Sequence, residues 1–150
     1  RPKPLPVTLG IQHPDDYLTE ALDYYPAVRI VNMDVPADRT VLCIGEHRPL
    51  YFEPQLMISD WFDTPAILHL IRNTQNNDEI YEKLRERNCS TIFFNKGELD
   101  KYFGAYFRPR FSDEEFKRFT DFMESQKLGL PNRIGPVYIY HIRFDKGDTP

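Results

Sequence analysis

Two short runs without a charged residue constrain the fold of this chain more than any other feature. Residues 41–44 (Val-Leu-Cys-Ile) and residues 91–94 (Thr-Ile-Phe-Phe) are rich in β-branched, aliphatic and aromatic side chains. A continuous run of this kind is typical of a strand that is buried on both faces. Helical patterns separate the two runs, and such crossovers join parallel strands. The sequence therefore predicts an α/β fold with a parallel sheet at its centre.

Helix signals lie between and after these runs. Ser112 and Glu115 match a capping box, and a phenylalanine stripe follows at helical spacing. Thr64 before Pro65 predicts a helix that Thr64 caps and that ends near residue 73. Pro26 is expected to break or restart a helical stretch. Further helices are predicted over residues 15–22, residues 27–33 and residues 77–88.

The remaining segments complete the predicted sheet. Residues 55–59 form a second strand, residues 51–52 form either a small edge strand or a tight turn, and residues 137–142 close the sheet, antiparallel at an edge. The expected fold class is α/β, with a small, mainly parallel, Rossmann-like sheet flanked by helices over residues 9–150. Residues 1–8 read as a proline-rich tether, since three prolines hold its start near an extended polyproline conformation.

Composition excludes several function classes. The chain has 150 residues, enough for one core, and carries 23 acidic against 19 basic residues, which argues against a nucleic-acid partner. The chain has no stretch of about 18 uncharged apolar residues, which is roughly the length that a helix needs to span a bilayer. The histidines lack metal-ligand spacing, so we expect neither a metal nor a cofactor. Cys43 is expected in the core. A disulfide between Cys43 and Cys89 is the alternative if the domain lies in an oxidising compartment.

Charged side chains follow the first two strands. Glu46 and Arg48 come after the first strand, and Asp60 and Asp63 come after the second. An open α/β sheet binds ligands at the carboxyl ends of its strands, so these residues are candidates for a shared edge. The simpler alternatives are a turn in which Glu46 and Arg48 pair with neighbouring structure, and capping of the next helix by Asp63 or Thr64. One glycine at this turn is too few for a dinucleotide fingerprint or a P-loop.

Residues 101–111 mix five aromatic side chains with three cations. Such a segment is either a core-packing loop with surface arginines or an interfacial surface that contacts lipid. The overall acidity disfavours the third reading, stacking on nucleic-acid bases. The interface candidates are Tyr106, Phe107, Arg108 and Arg110.

The succession of short motifs along residues 9–95 carries a family resemblance. The motifs are, in chain order, Leu9-Gly10, Asp16-Tyr17-Leu18, Tyr25-Pro26-Ala27, Asn32 with Val35-Pro36, residues 41–48 (VLCIGEHR), Tyr51, residues 59–63 (SDWFD), Leu84 and residues 91–95 (TIFFN). Together they resemble the soluble C-terminal domain of bacterial polytopic membrane glycosyltransferases related to the dolichyl-phosphate-mannose-protein mannosyltransferases. Residues after 95 have no counterpart in that pattern.

The resemblance implies a parent enzyme that transfers a sugar from a polyprenyl-phosphate donor to an acceptor on the extracytoplasmic, periplasmic side of the inner membrane. Its catalytic acid would lie in the membrane part, so the resemblance places no catalytic residue on this chain. The implied partners are the transmembrane domain, the donor and acceptor bound by the parent enzyme, and the membrane surface. Candidates for an acceptor-facing or docking edge are Glu46, Arg48, Tyr51, Asp60 and Asp63.

Two other functions stay open at this stage. One is a free-standing nucleotide- or sugar-binding protein with a crevice after the first strand. The other is a module that binds another protein through the same edge. In the accessory-domain interpretation, which positions the acceptor or shields the donor site, Arg48, Arg108 and Arg110 are available for contacts with phosphate or carboxylate groups.

Overall fold

The computed structural model describes residues 5–144, which form a five-stranded sheet with helices on both faces. The strands are β1 (Thr40–Ile44), β2 (Gln55–Met57), β3 (Cys89–Asn95), β4 (Asn132–Ile134) and β5 (Val137–His141). Their order across the sheet is β2-β1-β3-β5-β4. The α/β fold class predicted from the apolar runs is confirmed.

The sheet contains both parallel and antiparallel strand pairs. β1 pairs parallel with both β2 and β3, as the helical crossovers predict. β5 pairs antiparallel with β3, and β4 pairs antiparallel with β5. All five residues of β1 are buried, which explains why its sequence is continuously apolar instead of alternating.

The last strand is antiparallel as predicted, but its predicted place at the edge is wrong. Asn132–Ile134 forms the edge, and Ile134 pairs with Val137 across the two-residue turn Gly135-Pro136. Gly135 has φ +56°, a conformation that side chains disfavour, so glycine suits this tight hairpin. A short strand before a glycine-proline pair carries too little periodicity to be detected from sequence.

Seven α-helices surround the sheet within the described residues. They are α1 (Leu5–Thr8), α2 (Pro14–Ala21), α3 (Tyr25–Asp34), α4 (Ala66–Arg72), α5 (Asn77–Glu86), α6 (Lys96–Tyr102) and α7 (Asp113–Met123). The capping box at Ser112 and Glu115 is confirmed at the start of α7. Pro26 restarts the helical stretch, since it lies in the first turn of α3. None of these helices is long and apolar enough to cross a bilayer.

Side chains alternate between the two faces of the sheet and build two cores. On one face α3 packs against Val41, Cys43 and Phe93. On the other face α4, α5 and α7 pack against residues that include Leu42 and Ile92. The period-two alternation along β1 and β3 thus gives each helical layer its own apolar surface.

The two cysteines belong to different cores, which excludes a disulfide between them. Cys43 lies in the α3 core, and Cys89 lies in the core on the opposite face. Both thiols are buried and free. Burial raises the pKa of Cys43 and raises the pKa of Cys89 to about 11, so both are protonated at neutral pH. The prediction that Cys43 is a core residue is confirmed.

Several local predictions differ from the structure. Leu5–Thr8 is helical, so the polyproline conformation predicted for the tether does not hold at residues 5 and 6, while Pro2 and Pro4 lie outside the described residues. The second strand ends at Met57. Of the two alternatives for residues 51–52, the turn is observed, with Tyr51 at φ +75°.

The aromatic and basic segment after β3 is helical, not a loop. α6 continues into a π-helical turn at Phe103–Phe107 and a 3-10 turn at Arg108–Arg110. Phe107 and Phe111 are buried in the core, whereas Tyr102 and Tyr106 are partly exposed. The core-packing role predicted for the segment is confirmed for its buried phenylalanines, while the interfacial role stays a prediction for its outward-facing tyrosines.

Candidate functional site

A cleft opens where β1 and β2 end, at the carboxyl edge of the parallel strands. Its cavity volume is about 20 Å³, enough for one water molecule, and it opens to solvent. We call it the strand-end cleft. It is lined by Cys43, Ile44, Gly45, Glu46, His47, Ser59, Asp60, Trp61, Asp63, Pro65, Ile67, Tyr106 and Phe107. The carboxyl edge of the parallel strands is the place where open α/β sheets bind their ligands.

Gly45 makes the sharp turn that starts the cleft wall. Its φ is +72°, and a Cβ atom at this position would lie 2.5 Å from the carbonyl oxygen of Asn95 and 2.8 Å from Cβ of Leu99. Only glycine fits this turn, because the backbone of β1 here approaches the end of β3 directly. After this turn the chain changes direction, and the side chain of the next residue is buried at the edge of the sheet.

That next residue, Glu46, is a buried carboxylate with five hydrogen-bond donors. Its Oε1 accepts from the backbone N–H groups of His47 and Arg48, each at 3.0 Å, and from Nε of Arg48 at 2.7 Å. Its Oε2 accepts from Nη2 of Arg48 at 2.9 Å and from Nδ2 of Asn95 at 2.7 Å. The group is thus fully paired inside the domain.

These contacts fix the charge of Glu46. Burial would raise the pKa of its carboxyl group, but the hydrogen bonds from Arg48 and Asn95 outweigh burial and hold the pKa below its usual value. The Arg48 guanidinium also lies 4.0 Å from the ring centroid of Tyr24, a buried residue next to α3. Of the alternatives for Glu46 and Arg48, the internal ion pair is observed.

Asn95 extends this arrangement to α6. Its Oδ1 accepts from the backbone N–H of Glu98 at 3.0 Å and caps the helix. The buried Glu98 in turn pairs with Lys101 at 2.6 Å. Glu46, Arg48 and Asn95 therefore form a structural lock that joins the ends of β1 and β3 to the helix carrying the aromatic segment.

The other wall of the cleft comes from the loop after β2. Asp60 and Asp63 are exposed, and within residues 5–144 neither forms an ion pair. Oδ1 of Asp60 accepts from the backbone N–H of Phe62 at 3.1 Å. Trp61, between the two acids, contacts His47 across the cleft, with 5.3 Å between the ring centroids.

Aromatic rings form a continuous rim at the cleft mouth. Trp61 lies 4.9 Å from Tyr102, Tyr102 lies 6.0 Å from Tyr106, and Tyr106 lies 6.1 Å from Phe62, all between centroids. We call these four residues the aromatic rim. Arg110 joins its two halves, because Nε donates to the carbonyl oxygen of Tyr106 at 2.8 Å and Nη2 donates to that of Trp61 at 2.9 Å.

Two buried nitrogen atoms at the cleft have no hydrogen-bond partner among the described residues. They are Nδ1 of His47 and Nε1 of Trp61. Buried polar atoms are nearly always paired, with protein, water or a ligand. Both atoms belong to residues that line the cleft.

Of the nine predicted site residues, Arg110 bonds the backbone beneath the aromatic rim, and the other eight divide into two groups. The structure brings Glu46, Asp60 and Asp63 together with Tyr106 and Phe107 at the cleft. Three others face elsewhere. Tyr51 contacts Tyr25 with 5.4 Å between ring centroids, Arg48 covers Tyr24, and Arg108 bonds the carbonyl oxygen of Phe111 and the carboxylate of Asp113.

Two functional candidates were missed by sequence analysis, namely His47 and Trp61. The sequence pointed to their neighbourhood, since each lies between charged residues in one of the two segments that follow the first two strands. Sequence analysis, however, could not show that the two loops meet. Within residues 5–144 no cluster of three or more potential metal-ligating side chains exists.

The helix after the second loop begins differently from the prediction. Pro65 occupies the N-cap position, and the hydroxyl oxygen of Ser59 accepts from the backbone N–H of Ala66 at 3.1 Å. Neither Asp63 nor Thr64 makes this bond, so their predicted capping role is wrong.

Ser59→Ala is therefore expected to destabilise the domain by about 1 kcal/mol, the usual cost of losing a helix cap. Thr64→Ala is the matched control and should change stability by less than about 0.5 kcal/mol. Urea unfolding followed by circular dichroism measures both values. A larger loss for Thr64→Ala than for Ser59→Ala would contradict the assignment.

Comparison with known proteins gives a likeness to a solved structure. No protein-family model matches the chain, and no curated protein matches it. A solved structure, the C-terminal globular domain of an oligosaccharyltransferase from Archaeoglobus fulgidus, is similar at 14% sequence identity and a TM-score of 0.49. The match covers 81% of this chain and 97% of that chain.

Proposed function

We propose that this chain is an accessory domain of a polytopic membrane glycosyltransferase that uses a polyprenyl-phosphate sugar donor. The domain would lie on the extracytoplasmic side, face the acceptor with its strand-end cleft and dock on the membrane part through the aromatic rim. One observation carries the proposal: motif residues that are far apart in the sequence contact one another in the folded domain, in two sets.

The first set of contacts joins α3 to the loop after β1. Nδ2 of Asn32 donates to the carbonyl oxygen of Tyr51 at 2.8 Å, and Oδ1 of Asn32 accepts from the N–H of Glu53 at 3.0 Å. Tyr25 meets Tyr51 edge to face. Asn32, Tyr25 and Tyr51 all belong to the motifs that carry the family resemblance.

The second set is the structural lock. Glu46 and Arg48 come from one motif and Asn95 from the last motif, yet a single carboxylate binds both partners. These residues hold the loops that shape the cleft, which makes Glu46 and Arg48 positioning residues.

The aromatic rim supports docking. Phe62 is 78% exposed, and Tyr102 and Tyr106 beside it are 36% and 39% exposed. Clustered exposed aromatic side chains are costly in water and mark surfaces that meet a protein or a membrane interface. Because Arg110 fixes the backbone under the rim, this surface is already shaped for its partner.

Phe62→Ser in the native gene product is expected to reduce sugar transfer about tenfold, as loss of one aromatic anchor at an interface does. Transfer from a labelled polyprenyl-phosphate sugar in isolated membranes measures the effect. Leu130→Ser is the matched control, because Leu130 is 95% exposed and lies outside the rim. Equal activity of both variants, at equal protein levels, would remove the docking role of the rim.

A sugar-binding protein that acts without a membrane part is the second candidate. The cleft itself favours it over a nucleotide-binding protein, because no lysine or arginine is among the described residues that line the cleft. Phosphate sites in proteins commonly use such cations.

A further inference from the structure

We propose that a groove between α4 and α5 binds a phosphate group, carried either by a small molecule in solution or by a lipid headgroup. The groove has a cavity volume of about 440 Å³ and opens to solvent. We call it the α4–α5 groove. Ligand pockets in proteins have volumes of about 300–1,000 Å³, so this groove has room for a phosphorylated molecule. It is lined by His69, Leu70, Asn73, Thr74, Lys83 and Arg87.

The α4–α5 groove lies at the opposite end of the sheet from the strand-end cleft. Arg87 comes just before the first residue of β3. The carbonyl oxygen of the next residue, Asn88, accepts from the N–H of Thr40, the first residue of β1, at 3.1 Å. The groove is thus at the amino ends of the parallel strands. Binding there does not depend on the function proposed above.

The charge of the groove favours an anion. Among the described residues that line it, His69, Lys83 and Arg87 are basic and none is acidic. The strand-end cleft has the reverse composition, with three carboxylates and neither lysine nor arginine among its described lining residues. The whole chain carries a net charge of -4, so its overall field does not attract anions. The α4–α5 groove is therefore a local basic patch on an acidic protein.

Two of the cations are placed side by side by α5. Lys83 and Arg87 are four residues apart at the end of this helix, which puts them on one face. Like charges at this spacing repel each other, and an anion bound between them relieves the repulsion.

Both cations are available to a ligand. The guanidinium group of Arg87 has no ion pair and no hydrogen bond within residues 5–144, and such a group can hold a phosphate through two N–H donors. Lys83 pairs with Glu86 at 3.4 Å, and the two side chains are 46% and 63% exposed. An exposed pair of this kind has little energetic weight, so Lys83 can turn to a ligand at small cost.

The opposite wall, which belongs to the end of α4, offers donors because its acceptors are already paired. The carbonyl oxygen of His69 accepts from the backbone N–H of Asn73 at 3.1 Å and from Nδ2 of Asn73 at 2.7 Å. The hydroxyl group of Thr74 donates to the carbonyl oxygens of Leu70 and Ile71, at 2.8 and 3.3 Å.

Two side chains of this wall keep a free donor. Nδ2 of Asn73 carries a second hydrogen atom, and the imidazole ring of His69, which has no hydrogen bond within the described part of the chain, supplies at least one N–H. Phosphate oxygens are strong hydrogen-bond acceptors. Donors from α4 and cations from α5 therefore face the same space and match one phosphate group.

NMR spectroscopy of the isotope-labelled 150-residue chain tests the proposal. The chain is titrated with inorganic phosphate, pyrophosphate and glycerol 3-phosphate at constant ionic strength, with glycerol as the uncharged control. We expect saturable shifts of the backbone amide signals of residues 69–74 and 83–88, with a dissociation constant below about 5 mM for at least one phosphate. Glycerol should cause no shift.

A flotation experiment covers the lipid source of the phosphate. Binding to vesicles of phosphatidylglycerol and phosphatidylcholine is compared with binding to vesicles of phosphatidylcholine alone. Binding that requires phosphatidylglycerol and is lost in Arg87→Gln would identify a lipid headgroup as the source. Saturable shifts with a soluble phosphate would identify a small molecule.

Variants locate the binding. Arg87→Gln and Lys83→Gln should each weaken it about tenfold, because each removes a charged hydrogen-bond donor. Both side chains are exposed, so these variants are expected to fold. Arg29→Gln is the matched control, since it removes the same charge from an exposed position on α3, which packs on the other face of the sheet.

Three results would overturn the proposal. The first is the absence of saturable binding of any of these phosphates at about 20 mM together with the absence of Arg87-dependent binding to vesicles. The second is a set of shifts centred outside the α4–α5 groove. The third is equal weakening of binding by Arg29→Gln and Arg87→Gln.

Discussion

Glu46→Ala is expected to lower the free energy of unfolding by about 3 kcal/mol or more, because it leaves the Arg48 guanidinium without its carboxylate. The same change removes the acceptor of the Asn95 amide and of two backbone N–H groups. Buried donors without an acceptor carry a desolvation cost of their own. Urea unfolding of the wild-type and variant chains measures the loss.

Glu20→Ala is the control for this prediction. Glu20 is exposed in the last turn of α2, so its removal should cost less than about 0.5 kcal/mol. A loss below about 1 kcal/mol for Glu46→Ala would mean that the lock does not hold the strand ends together.

The lock also predicts a pH dependence. The pKa of Glu46 is lower in the folded chain than its ordinary value of about 4.3 in an unfolded one. Its contribution is therefore fully present above that value and is lost as the pH falls through the lowered folded pKa. The stability difference between wild type and Glu46→Gln should stay constant above about pH 5 and should shrink as the pH falls below the ordinary carboxyl pKa of about 4.3. A difference that stays constant on acidification below that value would contradict the assignment.

Gly45→Ala is expected to cost about 3 kcal/mol, from two sources. A side chain at φ +72° costs about 1–2 kcal/mol, and the new Cβ would overlap the carbonyl oxygen of Asn95, for which overpacking costs about 1–3 kcal/mol. Because the contact atom belongs to the backbone, β1 and β3 must separate to relieve it. Thermal and urea unfolding give the value.

Gly10→Ala separates the two sources. Gly10 has φ +69°, but a Cβ there would have no atom within 4 Å, so only the conformational cost of about 1 kcal/mol remains. The excess loss of Gly45→Ala over Gly10→Ala measures the close approach of the two strand ends. Equal losses for the two variants would show that the approach carries no energetic weight.

Local signals predicted the fold well where the deciding contacts were local. The apolar runs predicted the paired strands β1 and β3, because burial on both faces leaves a continuous pattern. Ser112 and Glu115 predicted a helix start, because both halves of a capping box lie within one turn. Thr64 failed for the opposite reason: the capping hydroxyl comes from Ser59, at the other end of a loop.

The candidate site was predictable only in part. The rule that strand ends gather ligand residues placed Glu46, Asp60 and Asp63 at one edge, and the structure brings them to one cleft. The separate roles of these residues depend on Asn95 and Arg110. Each of the two forms a hydrogen bond with a residue 49 positions away in the sequence. Contacts of such sequence separation leave no local pattern, so the lock and the aromatic rim emerged only from the structure.

The state of the native gene product tests the central claim most directly. An antibody raised against this chain is used to measure the apparent mass of the product and its partition between soluble and membrane fractions. The proposal predicts a band several times larger than 17.8 kDa that is released only by detergent. A band near 17.8 kDa in the soluble fraction would contradict the membrane glycosyltransferase and leave the strand-end cleft of a free-standing protein as the place to look for a ligand.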